Sequence, residues 1–126
     1  FGANDALRGI APEISEKNLA EIIEKLQKRK VQVILAGMLA PPNKGGGYED
    51  KFNAIFPRLA QKYDVPLYPF FMEGVAAQKS LQLEDGMHPN TQGVAKMVEG
   101  FLPVIEKTIA DDTSSSNKAT NSNISQ

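Results

Sequence analysis

Residues 31–38 read VQVILAGM, a short run that is rich in β-branched side chains and almost continuously apolar. Such a run is typical of a buried strand in a parallel sheet that has helices on both faces. The segment before it, about residues 13–30, has apolar side chains at helical spacing, which predicts an amphipathic helix leading into the strand. The apolar face of this helix contains Leu19, Ile22, Ile23 and Leu26.

The chain after this strand predicts a loop and a second helix. The loop, at residues 41–47, is rich in Pro and Gly, and apolar side chains then follow at helical spacing over residues 52–63. Pro57 lies inside that helix and removes one backbone hydrogen bond. We therefore expect a kink or break near Ile55 and Phe56.

A second strand is predicted at residues 65–71, VPLYPFF, where Pro66 and Pro69 favour an edge position because they cannot donate to a ladder. Thr91 is predicted to cap a last helix, which Pro103 should bend. The apolar face of this helix contains Val94, Met97, Val98, Phe101, Leu102, Ile105 and Ile109. This alternation predicts an α/β fold with a parallel sheet, whose ligand site lies at the carboxyl ends of the strands.

The composition excludes several classes of site and partner. The 126 residues include no Cys and a single His, His88, which rules out disulfides, a thiol nucleophile and a multi-His metal centre within one chain. The 14 Lys plus Arg and 15 Asp plus Glu give a net charge of −1, which argues against a nucleic acid partner. Apolar runs fall well short of the roughly 20 residues of a membrane span.

The two ends of the sequence differ from the part between them. The chain begins with Phe1 next to a loop signal rather than with Met, so we expect a preceding segment. Residues 111–126 read DDTSSSNKATNSNISQ, where Ile124 is the single large apolar residue. This composition predicts a disordered polar tail, because it cannot bury enough surface to offset the entropy of ordering. The predicted folded domain is residues 1–110.

Polar side chains mark two loops that are expected at the carboxyl ends of strands: residues 2–5, GAND, and residues 85–90, DGMHPN. Asp85 precedes His88 by three residues and can fold back to accept a hydrogen bond from one ring nitrogen, which leaves the other free as a base. The Asn4 amide is a neutral donor that suits a transient oxyanion. Together these groups would form most of an acyl-transfer site.

Each of these residues also has a purely structural interpretation. A lone His in a polar loop is often a surface residue or a cap, and Asp85 can simply support the turn at Gly86. Asn4 and Asp5 can satisfy nearby backbone donors in a turn. Residue types and spacing alone leave both interpretations open.

The two loops also resemble sequence blocks of a known family. GAND is similar to the third block of the SGNH (GDSL) hydrolases, and DGMHPN is similar to the fifth. Residues 55–60, IFPRLA, and 64–73, DVPLYPFFME, resemble the bacterial thioesterase I, lysophospholipase and arylesterase branch. The resemblance covers about residues 1–109. It implies the carboxyl-terminal part of a flavodoxin-like three-layer α/β/α fold with a parallel sheet.

The resemblance also implies roles for individual residues. His88 would act as general base and acid, Asp85 would orient its imidazole, and the Asn4 side chain would stabilise the oxyanion. The implied substrate is a small-molecule acyl ester or thioester, and no metal or organic cofactor is required. Residues 6–11 and 40–47 would border the acyl chain. The resembling branch is typically exported to the periplasm, which implies a periplasmic or secreted protein, and the oligomeric state stays open.

Two parts of the family pattern are absent from this sequence: the Gly-Asp-Ser-Leu-like block with the nucleophile and the block with a second oxyanion donor, a glycine. The serines of this chain lie outside such a context: Ser15, Ser80, Ser114, Ser115, Ser116, Ser122 and Ser125. We therefore assign no nucleophile and expect this chain alone to be close to inactive. Uncovered apolar faces of its sheet should also make it prone to aggregate.

Two alternative functions stay open from the sequence. A carbohydrate acetylesterase would use the same groups on a short acyl chain, so preference for acyl length separates it from the first interpretation. A non-catalytic α/β binding module would keep the two loops without any nucleophile. Labelling of the full-length protein by a serine-directed fluorophosphonate would separate this binding module from an enzyme.

Overall fold

The computed structural model describes residues 1–42 and 45–121, with side chains described up to residue 111. The elements in these ranges are, in chain order, α1 (Ala3–Arg8), α2 (Pro12–Lys28), β1 (Leu35–Ala36), α3 (Tyr48–Asn53), α4 (Ile55–Tyr63), β2 (Leu67–Tyr68), a 3₁₀ turn (Lys79–Leu81) and α5 (Thr91–Asn121).

Helix α2 confirms the helix that the sequence predicts over residues 13–30. Pro12 lies in its first turn, where a missing backbone N–H costs little, because that N–H would have no partner within the helix. Leu19 and Ile23 are buried as expected, whereas Ile22, from the same predicted face, is 42% exposed. The buried stripe is therefore narrower than the sequence pattern suggests.

The two strands pair in parallel, as predicted, but they are much shorter than the predicted ranges 31–38 and 65–71. The register sets Leu35 opposite Leu67 and Ala36 opposite Tyr68. Pro66 and Pro69 flank β2 and have no N–H to give to a ladder, which limits the pairing. Val31 is 44% exposed, so the prediction of a strand covered on both faces is wrong at its beginning.

The chain breaks between α3 and α4 at Ala54, one residue before the kink that the sequence predicts at Ile55 and Phe56. Pro57 is the third residue of α4, within the first turn. Backbone N–H groups in a first turn have no acceptor within the helix, so Pro57 fits there without breaking a hydrogen bond. The proline thus lies near the beginning of a helix rather than in the interior of a longer one.

The hydrophobic core lies between the first four helices and β1. Its largest fully buried side chains include Phe52 and Phe56, whose rings meet edge-to-face with centroids 5.8 Å apart. Aromatic pairs in this geometry add to the free energy gained by burial. The remaining buried members are Ala6, Leu19, Ile23, Leu35, Ile55, Leu59 and Ala60. Helix α1 is therefore attached to the same core as the strands through Ala6.

Helix α5 is capped by Asn90, the residue directly before its first residue, Thr91. The backbone N–H of Gly93 donates to the Asn90 side-chain oxygen at 3.0 Å, so Asn90 caps the helix and the prediction of Thr91 as the cap is wrong. The Asn90 amide nitrogen also donates to the carbonyl oxygens of Ser80 and Gln82, at 2.9 and 3.3 Å. The Asn90 side chain thus caps the helix and also joins it to the preceding turn.

The end of α5 lies in the segment for which the sequence predicts a disordered tail, residues 111–126, and that tail stays a prediction. The helix continues past Asp111 to Asn121, since extending a formed helix needs no new nucleation. Residues 122–126 of the predicted tail lie outside the described residues, and for them disorder stays a prediction. Four of the seven side chains on the predicted apolar face of α5 are exposed, two are half-buried, and Met97 is buried.

Candidate active site

The turn from Asp85 to His88 holds the imidazole as the sequence predicts. One carboxylate oxygen of Asp85, Oδ2, lies 2.6 Å from Nδ1 of His88. The other, Oδ1, accepts the backbone N–H groups of Met87 and His88 at 2.9 and 3.0 Å. Gly86 takes a left-handed conformation, φ 67°, that allows this tight turn. The carboxylate therefore fixes both the backbone and the ring.

The base of the turn is closed by backbone hydrogen bonds. The N–H of Leu83 donates to the carbonyl oxygen of His88 at 2.8 Å, and the N–H of Gly86 donates to Leu83 at 3.0 Å. An antiparallel bridge between Gln82 and Pro89 continues this pairing. His88 thus stands on a short hairpin in front of α5 rather than on a free loop.

The hydrogen bonds at Asp85 keep its carboxyl group ionised. Donation from the His88 backbone, the His88 ring and the Met87 backbone lowers the pKa of Asp85 from 3.8 to about 2. An ionised carboxylate can only accept, so Nδ1 of a neutral His88 must carry the proton. Nε2 then carries the lone pair of the ring, and the His88 side chain is 68% exposed. This is the tautomer that a general base requires.

Asn4 lies in helix α1, whereas the sequence predicts a loop at residues 2–5. Gly2 precedes the helix with φ 96°, and the Gly2 carbonyl oxygen accepts the N–H of Ala6 at 2.9 Å. The loop prediction is wrong because Gly2 alone makes the turn, and the chain then enters a six-residue helix. Asn4 is exposed on this helix.

Asn4 and the residue after His88 border the same cavity, of about 600 Å³. We call it the Asn4 cavity, and define it by the residues Ala3, Asn4, Met38, Met72, Pro89 and Met97. The structure therefore brings the first loop of the sequence prediction to the same side of the molecule as the Asp85–His88 turn. Whether Asn4, Asp85 and His88 have catalytic roles stays a prediction at this point.

A second cavity adjoins the first, and its lining is almost entirely apolar. We call it the apolar cavity, of about 460 Å³, and define it by Leu7, Met38, Ala40, Phe70, Met72 and Met87. It shares Ala3, Met38 and Met72 with the Asn4 cavity. Since Met87 directly precedes His88, the apolar cavity opens next to the imidazole-bearing turn.

Helix α1 is fastened by a contact that the sequence pattern does not single out. The hydroxyl of Ser15, which is fully buried, donates to Asp5 at 2.8 Å. Asp5 therefore accepts a hydrogen bond from α2 and is not only the turn former suggested by its type. The pair joins residues ten positions apart, and nothing in the local spacing predicts it. It fixes the residue next to Asn4.

Two further properties concern metals and membranes. Among the described residues, no three His, Asp or Glu side chains lie close enough together to hold a metal ion. Within the same residues, each helix is too short or too polar to cross a bilayer.

Comparison with known proteins places this geometry in a family. The chain is 40% identical over 113 residues to thioesterase 1/protease 1/lysophospholipase L1 of Escherichia coli K12, covering 90% of this chain and 54% of that protein. It superposes on a crystal structure of TesA with a TM-score of 0.80 and 32% identity, covering 86% of this chain and 60% of that one. It also superposes on AlinE4, an SGNH-hydrolase family esterase, with a TM-score of 0.63 and 44% identity, covering 82% of this chain and 55% of that one.

The chain spans about half the length of the curated relatives it matches. Its solved neighbours are SGNH hydrolases, and its helices and small parallel sheet correspond to the carboxyl-terminal part of that α/β fold. The resemblance carried by the two sequence blocks is thereby confirmed. Residues 1–96 match the model of the GDSL-like lipase/acylhydrolase family, and the chain belongs to that family of esterases and thioesterases.

Proposed function

We propose that the full-length protein hydrolyses carboxylic esters or thioesters by a Ser-His-Asp mechanism, with His88 as general base, Asp85 as its orienting carboxylate and Asn4 as an oxyanion donor. The contact between Asp85 and Nδ1 of His88, 2.6 Å, is the observation that carries this proposal. It fixes the ring tautomer in which Nε2 can accept a proton.

The reaction proceeds in two acyl-transfer steps. A serine hydroxyl attacks the carbonyl carbon while His88 takes its proton, and the resulting tetrahedral oxyanion accepts a hydrogen bond from the Asn4 amide. Collapse expels the alcohol or thiol, to which His88 returns the proton. Water then attacks the acyl-enzyme, again with His88 as base, and releases the acid. Asp85 stays ionised throughout and stabilises the imidazolium.

The serine is proposed to come from a part of the protein that precedes Phe1. Ser15 is buried with its hydroxyl on Asp5, and Ser80 lies in the 3₁₀ turn. The other serines lie after residue 111. The match covers 54% of the Escherichia coli relative, and the part of that protein outside the match leaves room for such a segment. This chain by itself would then be close to inactive.

The acyl group is proposed to occupy the apolar cavity. Leu7 comes from helix α1, and Ala40 from the segment after β1, so two separate parts of the chain contribute to one lining. A volume of about 460 Å³ accommodates a chain of several methylenes. This lining favours medium-length acyl groups over acetyl groups, and thus an esterase or thioesterase over a carbohydrate acetylesterase.

The proposal is tested in the full-length protein with the variants His88→Ala and Asn4→Ala. Both should retain the fold, since both side chains are exposed. His88→Ala should nearly abolish hydrolysis of p-nitrophenyl esters. Asn4→Ala should lower kcat by on the order of a hundredfold with little change in KM, because the oxyanion forms only in the transition state.

Asn18→Ala, an exposed asparagine on α2, is the matched control and should leave both constants unchanged. Near-normal turnover in His88→Ala would refute the site. Failure of the unmodified full-length protein to react with a serine-directed fluorophosphonate would favour the non-catalytic binding module instead.

A further inference from the structure

The methionines of this chain are all gathered at the two cavities. The sequence contains four methionines. Met38, Met72 and Met87 line the apolar cavity, and Met38, Met72 and Met97 line the Asn4 cavity. No methionine is left elsewhere in the core or on the surface. The soft, oxidisable thioether groups of this chain are therefore concentrated at the two cavities.

The four side chains differ in how easily a small oxidant can reach them. Met87 is 51% exposed, whereas Met97 is 8% exposed, and Met38 and Met72 are half-buried. The Met87 backbone is held, since its N–H donates to Asp85 at 2.9 Å. The Met87 side chain thus lines the apolar cavity, directly before His88 in the chain, while about half of its surface stays in contact with solvent.

We propose that Met87 is a reversible oxidation site that controls the entry of acyl chains into the apolar cavity. The inference deepens the proposed function and rests on it. The oxidant is a peroxide. A lone pair of the Met87 sulfur attacks one peroxide oxygen, the O–O bond breaks, and an S–O bond forms. The sulfur loses two electrons, and the departing hydroxide takes the proton from the oxygen now bound to sulfur, which leaves a sulfoxide and water.

Oxidation changes the chemistry of the cavity entrance. A sulfoxide is a strong hydrogen-bond acceptor, whereas a thioether is nearly apolar. An acyl chain that packs against Met87 would then have to desolvate a polar group that it cannot satisfy. An acetyl group does not reach along the cavity and should be much less affected. A methionine sulfoxide reductase with a dithiol reverses the change: the sulfur is reduced, the dithiol is oxidised to a disulfide, and the sulfoxide oxygen leaves as water with the two thiol protons.

The test combines mass spectrometry with enzyme assays on the full-length protein. After graded treatment with hydrogen peroxide, the oxidised fraction of each methionine is measured on peptides. Hydrolysis of p-nitrophenyl decanoate and p-nitrophenyl acetate is measured on the same samples. Met87 should oxidise before Met97, and decanoate hydrolysis should fall on the order of tenfold more than acetate hydrolysis. Treatment with the reductase and dithiothreitol should restore it.

Two variants separate Met87 from general oxidative damage, each normalised to its own untreated activity. Met87→Leu should retain decanoate hydrolysis after peroxide, whereas Met97→Leu should lose it like the unmodified protein. Three results would overturn the proposal: equal losses on both esters, the same loss in Met87→Leu as in the unmodified protein, or oxidation of Met97 ahead of Met87.

Binding of a fluorescent fatty acid distinguishes failure of this inference from failure of the proposed function. If the untreated protein hydrolyses neither ester, the proposed function is wrong. Peroxide-dependent loss of fatty-acid binding that Met87→Leu prevents would still support control of the cavity by Met87. Binding that peroxide leaves unchanged would refute it.

Discussion

Asp85 uses its two carboxylate oxygens for different partners: Oδ1 for the backbone N–H groups of Met87 and His88, and Oδ2 for the imidazole. All of these partners donate, so all of them favour the ionised form. The same side chain thus shapes the turn and sets the tautomer of His88. A structural and a catalytic interpretation of Asp85 are therefore not alternatives.

The depressed pKa of Asp85 gives a pH dependence with a defined sign. The pKa falls from 3.8 to about 2 on folding, so the contribution of Asp85 to stability is present above pH 3.8 and is lost as the pH falls towards 2. Asp85→Asn removes this titration but keeps an oxygen that can accept from the backbone. The stability difference between the unmodified chain and Asp85→Asn should be constant above this window and shrink within it.

Urea unfolding of both proteins at a series of pH values measures that difference. The matched control is Glu84→Gln. Glu84 is the exposed neighbour of Asp85, and its carboxylate makes none of the hydrogen bonds that Asp85 makes in the turn. A stability difference for Asp85→Asn that stays the same through the acid window would contradict the assigned hydrogen bonds.

At the scale of elements, the sequence predicts correctly those features that depend on residues a few positions apart in the chain. Helix α2 follows from apolar residues three and four positions apart, and it is found where expected. The strand at residues 31–38 shrinks to Leu35–Ala36 because pairing depends on a partner strand flanked by prolines. The sequence also finds the Asp85–His88 contact, which spans three positions.

Non-local causes account for the errors and omissions. The Ser15–Asp5 hydrogen bond crosses from α2 to α1, and the methionine lining draws on segments far apart in the chain. Helix α1 lacks a side-chain cap at Gly2 that would mark its beginning. The sequence of α1 therefore predicts a loop, whereas the structure shows a helix that is held to the core by the buried Ala6.

The contact between α5 and the preceding hairpin depends on Gly93. A Cβ added there would lie 2.1 Å from the carbonyl oxygen of Leu81 and 3.0 Å from Pro89. The first clash is with backbone, so it cannot be relieved by a rotamer change. Since Pro89 adjoins His88, the hairpin that carries the imidazole must move away from α5 if this position gains a side chain.

Gly93→Ala should therefore destabilise the chain by about 1–3 kcal/mol, the usual cost of overpacking, despite the higher helix propensity of Ala. Gln92→Ala, its exposed neighbour on α5, changes propensity without the clash and should be neutral or slightly stabilising. Urea unfolding monitored by circular dichroism measures both. Equal stability of the two variants would mean that α5 and the hairpin are not in close contact.

At the scale of the whole molecule, helix α5 adds little to the main core and carries several of the exposed apolar side chains. Buried side chains concentrate around α1 to α4 and β1, whereas α5 exposes Val94, Val98, Leu102 and Ile109 at 45–56% of their surface. These four side chains are four or seven positions apart, which puts them on one face of the helix, and an exposed apolar face promotes association. Aggregation stays a prediction, and we expect this surface of α5, rather than the faces of the sheet, to drive it.

This assignment predicts that the chain self-associates through α5. The double variant Val98→Lys with Leu102→Lys should stay monomeric at concentrations where the unmodified chain forms larger species, since two charges interrupt the apolar surface without replacing a buried side chain. Ile14→Lys, at a 53% exposed apolar position on α2, is the control and should associate like the unmodified chain. Sedimentation velocity, with circular dichroism to verify folding, measures the outcome. Association that persists in the folded double variant, or that Ile14→Lys abolishes, would mean that a different surface drives it.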